Sequence, residues 1–393
     1  MSKMEHEKPL NQLQNPQQYI SEAKSKAKEH YFFVETKPNR DDLVNFTAGR
    51  FIDLLLKNFN YVHVMNPVLP GLNVGAEVRD PKLRIAYILP HLKLYGGVRR
   101  AIEVCNKFVE FGHDVTVFTL DGIPCEWMET KFTIRPHREI TKELYDVGVF
   151  TLETDYKLMD VLRASRKFYW ILHYGVLYKD PISCRAGYRG NYELLANSKW
   201  TAEQIEKDCG RKPKLITSGI NHALFNPCIN SVPDHPVVIG YGSERIWKGR
   251  RDLEESFLIV KEKYPKAELK FLADLNLPQE KMAQEYSNAT GFVSTSWYEG
   301  WNHMGIEAMA CGCPLIITDD GGSRDYTKNG VNCIVVKPRA IEDIAKAIIE
   351  LIEMPKGVID IMVANGLETA AQYKWEKCAN ELMETFLGEP LKN

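Results

Sequence analysis

No stretch of this sequence approaches the roughly 18 consecutive apolar residues that a membrane-spanning helix needs, and its start, Met-Ser-Lys-Met-Glu-His-Glu-Lys, has no apolar signal core. The expected location is the cytoplasm, at most peripheral to the inner face of a membrane. A surplus of charge is missing too. Fifty Lys plus Arg stand against fifty-two Asp plus Glu, a formal net charge of −2, so no global field favours a nucleic acid backbone and any anion site must be local. Nine cysteines are an odd number, scattered and without a CxxC pair, which fits reduced thiols better than a disulfide framework or a zinc site. Also absent are HExxH, Asp-x-Asp, any Cys/His cluster, G-x-G-x-x-G, G-x-S-x-G and a P-loop. Nothing therefore supports metal catalysis, a redox dinucleotide, a serine hydrolase or a phosphate-loop ATPase.

What is present is ordinary globular material. The chain has 393 residues, 44% of them hydrophobic and 26% charged. At roughly 150 residues per domain, that is enough for two domains with a core each. Residues 1–80 read as an N-terminal extension, polar until Asp41 and Asp42 open an amphipathic stretch that runs to about Phe59. Val44, Ala48, Phe51, Ile52, Leu55 and Phe59 share one helical face, which either packs on a core or, with Lys24, Lys26 and Lys28 upstream, meets a membrane surface.

From Leu83 the pattern changes. Leu-Arg-Ile-Ala-Tyr-Ile-Leu reads as a buried strand, followed by a loop holding Gly96-Gly97, a helix from about Val98 to Phe111 and a second strand from Asp114 to Thr119. Strand, glycine loop, helix and strand make a nucleotide-binding type of α/β half. Apolar runs at 147–152, 168–173, 193–196 and 214–217 extend the sheet. A polar stretch from Asn226 to Asp234 reads as a linker. Beyond it the alternation restarts with strands at 237–241, 268–273, 291–294, 315–318 and 333–336. The helices fall at 253–263, 305–311 and near 341–353, 358–371 and 375–387. Two α/β domains in series predict a ligand cleft where strand C-termini face each other.

The strongest local signal is the run from Trp297 to Pro314, Trp-Tyr-Glu-Gly-Trp-Asn-His-Met-Gly-Ile-Glu-Ala-Met-Ala-Cys-Gly-Cys-Pro. Glu299 stands on the loop after a strand, and Glu307 eight positions later in the first turn of a helix. Backbone N–H groups between them suit a phosphate or a polyhydroxyl ligand, although capping of the helix dipole also explains Glu307. This segment resembles the signature of family 4-like retaining glycosyltransferases with two Rossmann-like domains, the GT-B architecture. The likeness extends to Thr318–Asp325, to Leu195–Ser198, to Ser218–Pro227 and to the strand and loop from Arg84 to Gly97, so it covers about 83–388 and leaves out the first 80 residues.

That resemblance implies an N-terminal acceptor domain over 81–228, a C-terminal donor domain over 229–374 and a last helix, 375–393, crossing back to the first. It implies a nucleoside-diphosphate sugar, with UDP or GDP as its nucleotide, as co-substrate and no other cofactor. Glu307 would bond the ribose, Glu299 and His173 the sugar, and Lys248 the diphosphate, with the loop Gly300, Trp301, Asn302, His303, Met304 and Gly305 and the pair Gly96 and Gly97 lining the donor. The sequence departs from the family at two places. Ser243 stands where the family has its diphosphate Arg, which leaves Arg245 for that role, and Trp301-Asn302-His303-Met304 replaces the usual Phe-Gly-Leu-Pro. Trp297, Tyr298 and Trp301 either stack on a ligand or belong to a core, His173 is either a cleft or a core histidine, and Gly96-Gly97 also fits a plain tight turn.

The expectation is a metal-independent retaining transferase acting on a glycan, lipid-linked or protein acceptor. Two alternatives stand beside it: a catalytically silent nucleotide-sugar-binding or partner subunit of the same fold, and a transferase acting on nucleic acid bases, against which the near-neutral charge argues.

Overall fold

The computed structural model describes residues 82–152, 155–228, 233–275 and 277–388. The N-terminal extension with its amphipathic 41–59 stretch and the middle of the 226–234 linker lie outside the described residues.

Among these residues the chain builds two fully parallel sheets. Strands β1 (Arg84–Ile88), β2 (Asp114–Thr119), β3 (Thr133–Pro136), β4 (Tyr145–Phe150), β5 (Ala164–Ile171), β6 (Glu193–Ala196) and β7 (Lys214–Leu215) pair in the order β3-β2-β1-β4-β5-β6-β7. Strands β8 (Val237–Gly240), β9 (Glu268–Phe271), β10 (Gly291–Ser294), β11 (Leu315–Thr318) and β12 (Ile334–Val336) pair in the order β12-β11-β10-β8-β9. Parallel strands covered on both faces read as unbroken apolar runs rather than alternating ones. Ile85 to Ile88 and Leu315 to Ile317 are such runs, and all of them are buried. Both orders are doubly wound, so each sheet has a switch point: beyond the C-terminal ends of β1 and β4 in the first, and of β8 and β10 in the second.

Helices connect the strands. In the first lobe these are α1 (Gly96–Glu110), α2 (Tyr156–Val161), α3 (Pro181–Tyr188) and α4 (Lys199–Cys209). The second lobe holds α5 (Arg250–Lys263), α6 (Leu272–Leu275), α7 (Gln279–Asn288), α8 (His303–Ala310), α9 (Ile341–Glu353) and α10 (Lys356–Ala371). Helix α11 (Trp375–Leu387) follows in sequence but packs on α1 of the first lobe. Its apolar stripe explains this. Cys378, Ala379, Leu382 and Phe386 join Ile102, Cys105 and Phe108 of α1 in one buried cluster, and the Phe386 ring sits 4.9 Å from Phe168 and 5.7 Å from Phe108.

Arg166 on β5 fixes the end of this helix. Its guanidinium donates to the carbonyls of Thr385 (3.0 Å), Phe386 (2.8 Å) and Gly388 (2.6 Å) and pairs with Glu193 on β6. Arg166→Met is expected to lower unfolding free energy by about 2–3 kcal/mol, because three orphan carbonyls lose their donor and Glu193 loses its cation. Urea denaturation measures this, and an unchanged midpoint would mean that the apolar stripe alone holds α11. The two chain crossings between lobes run side by side, with Ile220 bridged to Lys374. Gly219 permits the approach, since a Cβ there would lie 2.5 Å from the Trp375 nitrogen.

Candidate active site

The two switch points face each other, and the loops that follow β8 and β10 bring the first charged pair together. After β8 the chain makes a single helical turn, Ile246–Lys248, and reverses at Gly249, whose φ of 65° and whose Cβ position 2.1 Å from the Thr295 carbonyl oxygen require glycine. The turn aims Lys248 at the loop after β10. There its Nζ meets Glu299 Oε1 at 2.5 Å, while Ser296 Oγ donates to the same oxygen at 2.7 Å. Both charged side chains are largely shielded, at 17% and 14% exposure. Arg245 begins that turn and is exposed, its guanidinium over the rings of Tyr95 (5.9 Å) and Trp247 (5.8 Å).

Beneath Glu299 lies a second carboxylate. Glu299 N donates to the Asp320 carbonyl oxygen, and the Asp320 side chain, 1% exposed, accepts from Asn302 Nδ2 (2.6 Å) and Ser323 N (2.8 Å). Burial first, and then the neighbouring Glu299 charge, push its carboxyl up to about 7. A carboxyl raised in the folded state stabilises the fold when protonated. That contribution is complete below about pH 4 and is lost as pH rises towards 7. The expected outcome is a urea midpoint that falls from pH 5 to pH 8 more steeply in the wild type than in Asp320→Asn. Parallel pH profiles would show that Asp320 does not titrate in this window.

In the loop from Gly300 to Gly305, expected to line the donor, most side-chain polar groups turn into the protein. Asn302 adopts a left-handed conformation (φ 46°) and caps α8, accepting from Gly305 N while its amide donates to Ser294 Oγ (2.9 Å) and Asp320. Its polar atoms, and the Gly305 N–H, are consumed inside the lobe. Trp301, 2% exposed, packs on Tyr326 and Tyr373 at 5.4 and 5.1 Å, so it is core rather than a stacking platform. His303 opens α8 and touches Arg100 of the first lobe (3.1 Å) and Ser218 Oγ (3.1 Å). Burial, followed by the charges of Arg100 and Arg99, holds its imidazole well below the ordinary histidine range and keeps it neutral. Gly300 serves contact between the lobes: a Cβ there would lie 1.8 Å from the Leu172 carbonyl oxygen. Met304 alone of this run lines a cavity of ≈ 10 Å³, beside Lys248, Gly242, Ser294 and Ser296.

Helix α8 begins at His303, two residues before the predicted start, which makes Glu307 its fifth residue and moves it out of the first turn. The dipole no longer accounts for it. Instead Glu307, 3% exposed, pairs with Arg99 of α1 across the lobes at 2.9 Å. Burial raises its carboxyl, and Arg99 opposes the rise. Gly96 and Gly97 likewise lie in the first turn of α1 rather than in a loop, and no side chain caps that helix. Its exposed first turn therefore offers free N–H groups to the cleft. His173 follows β5, with its backbone against Gly300 and its ring 5.3 Å from Tyr178.

Sequence reasoning missed Arg99 and Arg100. A signal existed: in the helix as read from Val98, two adjacent cations fall in the first turn and oppose the dipole, so they need a partner elsewhere. Among the described residues no group of three or more His, Cys, Asp or Glu is placed to hold a metal ion, and no helix is long and apolar enough to cross a membrane.

Two Rossmann-like lobes of this order, meeting over a cation, two carboxylates and an uncapped helix start, define the GT-B class of fold. Residues 236–365 match the family model for glycosyl transferases group 1. An uncharacterized glycosyltransferase of Methanocaldococcus jannaschii is 23% identical over 329 residues, 79% of this chain and 86% of that protein. A D-inositol 3-phosphate glycosyltransferase of Rhodococcus erythropolis is 30% identical over 107 residues, 27% of this chain and only 24% of that relative's length. Among solved structures, Anabaena HepE in complex with UDP and glucose superposes with a TM-score of 0.63 at 15% identity, over 77% of this chain and 99% of that one.

Proposed function

We propose that the chain is a retaining glycosyltransferase that moves a hexosyl group from a UDP- or GDP-sugar to a hydroxyl of a glycan, lipid-linked or protein acceptor, in the cytoplasm and without a metal ion. The observation that carries this reading is the meeting of Lys248 and Glu299 at the second switch point, opposite the uncapped start of α1. In the transfer the bond from the anomeric carbon to the diphosphate oxygen breaks first, leaving an oxocarbenium-like centre. The departing diphosphate gains charge, which Lys248, Arg245 and the α1 N–H groups stabilise. The acceptor oxygen then bonds the anomeric carbon on the same face, and its proton goes to the leaving phosphate oxygen. Glu307 holds the ribose, and Glu299 and His173 the sugar. To do so the donor exchanges its own groups for the Lys248–Glu299 and Arg99–Glu307 pairs. The resemblance of residues 297–314 supports retention, and the UDP complex of HepE supports the donor class.

A thermal-shift panel of UDP-, GDP-, dTDP- and ADP-sugars tests it. A donor at about 100 times its Kd stabilises by roughly 2.7 kcal/mol; Glu307→Ala should abolish the shift, whereas Lys248→Ala, which acts on the departing diphosphate, should leave most of it. NMR of the product's anomeric configuration checks retention, and activity in EDTA checks metal independence. No shift with any donor refutes the reading. The mutual pairing of the donor-gripping groups favours one rival, a catalytically silent subunit, which multiple-turnover release of nucleoside diphosphate would eliminate.

A further inference from the structure

Three aromatic rings from three separate loops lie nearly parallel where the lobes meet. Tyr178, just after the turn Gly175–Leu177, stacks on Trp247 at 4.7 Å with 22° between planes and on Tyr298 at 5.6 Å with 9°. Trp247 and Tyr298 are themselves 6.5 Å apart and 13° from parallel. Tyr178 thus belongs to the first lobe and both of its stacking partners to the second. Each partner immediately precedes a member of the charged pair: Trp247 precedes Lys248, and Tyr298 precedes Glu299. The loops are joined beneath the rings as well, since Trp297 N donates to the Trp247 carbonyl at 2.8 Å, and the Tyr298 hydroxyl reaches the Leu177 carbonyl at 3.4 Å. Tyr178 also meets the His173 ring at 5.3 Å.

We propose that Tyr178 is a positioning residue: its ring, brought in by the first lobe, locks Trp247 and Tyr298 and so fixes Lys248 and Glu299 for the transfer. The inference rests on the reading above for what Lys248 does, but the locking itself is a property of the fold. A lysine on a short turn samples many rotamers, and a cation displaced by a fraction of an ångström stabilises a leaving group poorly. Clamping the neighbouring indole removes that freedom. Because the clamp comes from the opposite lobe, the diphosphate cation is in register only when the acceptor side is seated. A nucleotide bound to the second lobe alone finds Lys248 loose. Stacking depends on the ring, so phenylalanine should serve where leucine does not.

The experiment uses the full chain with Tyr178→Leu, Tyr178→Phe, Lys248→Met and the double substitution Tyr178→Leu/Lys248→Met. Amine labelling resolved by mass spectrometry reads Lys248 directly and needs no donor. Tyr178→Leu is expected to raise labelling of Lys248 by about fivefold or more while other lysines stay unchanged, and Tyr178→Phe to restore protection. With the nucleotide sugar that stabilises the wild type, Tyr178→Leu should lower kcat by about tenfold and leave the donor KM within about twofold. In the Lys248→Met background the same change should have no further effect, because a residue acting through Lys248 has nothing left to position. Unchanged Lys248 labelling, an effect on KM alone, or independent multiplication of the two losses overturns the inference. If labelling responds but the wild type turns over no donor, the transferase reading fails and the positioning stands.

Discussion

Replacing Lys248 with alanine is expected to lower kcat by about 10²–10³-fold, the usual loss when one fixed donor to a developing charge is removed. The difficulty is that Lys248 also neutralises Glu299, so the single substitution leaves a shielded carboxylate with Ser296 alone as partner. That strands charge and costs about 1–3 kcal/mol of stability. Glu299→Gln in the same chain removes the stranded charge. The double variant Lys248→Ala/Glu299→Gln should therefore regain most of the urea midpoint and none of the turnover. Measuring both quantities on the two singles and the double separates the roles. Recovery of turnover in the double would show that Lys248 serves only to hold Glu299.

Gly300→Ala is expected to lower activity by about 100-fold or more while the thermal midpoint changes little. A methyl group there would lie 1.8 Å from the Leu172 carbonyl oxygen and 3.0 Å from the His173 Cα, both backbone atoms of the opposite lobe. Backbone cannot rotate away as a side chain can. Asn197 Nδ2 holds the Leu172 carbonyl from behind at 2.8 Å, so the first-lobe loop cannot retreat cheaply. Neither lobe's own core is touched, however, and the strain is relieved when the lobes part. The substitution should thus leave two folded lobes that do not seat. Small-angle scattering with kinetics would show it: a larger radius of gyration and low kcat is the expected result, and an unchanged radius with full activity would contradict it.

Much of this architecture is legible in the sequence, for identifiable reasons. Strands β2, β6, β10 and β11 fall at the predicted bounds, because each is a short apolar run closed by turn residues. The first turn of α1 reads as loop, since Gly-Gly has low helical propensity, yet the first N–H groups of a helix have no intrahelical partner to lose and the exposed turn tolerates glycine. Strand β3 escapes notice because it ends in Pro136 and lies at the sheet edge, where alternation is weak and proline is allowed. The site is harder. Charge pairs such as Arg99–Glu307 join residues 208 positions apart, which no local pattern encodes. Asn302 looks like a loop group free for a ligand and Trp301 fits either a ligand stack or a core, and the buried, left-handed turn at Asn302 carries both inward.

Helix α11 has a consequence for how the chain is made. The buried cluster over α1 contains Cys378, Leu382 and Phe386, so the first lobe lacks part of its core until residues 375–387 have left the ribosome. Domains usually fold in order of synthesis, at roughly 5–20 residues per second, but here the earlier lobe waits for the later one. During that interval the apolar face of α1 is uncovered. A nascent chain stalled before Trp375 would expose Ile102, Cys105 and Phe108 together, a surface that invites chaperones or aggregation.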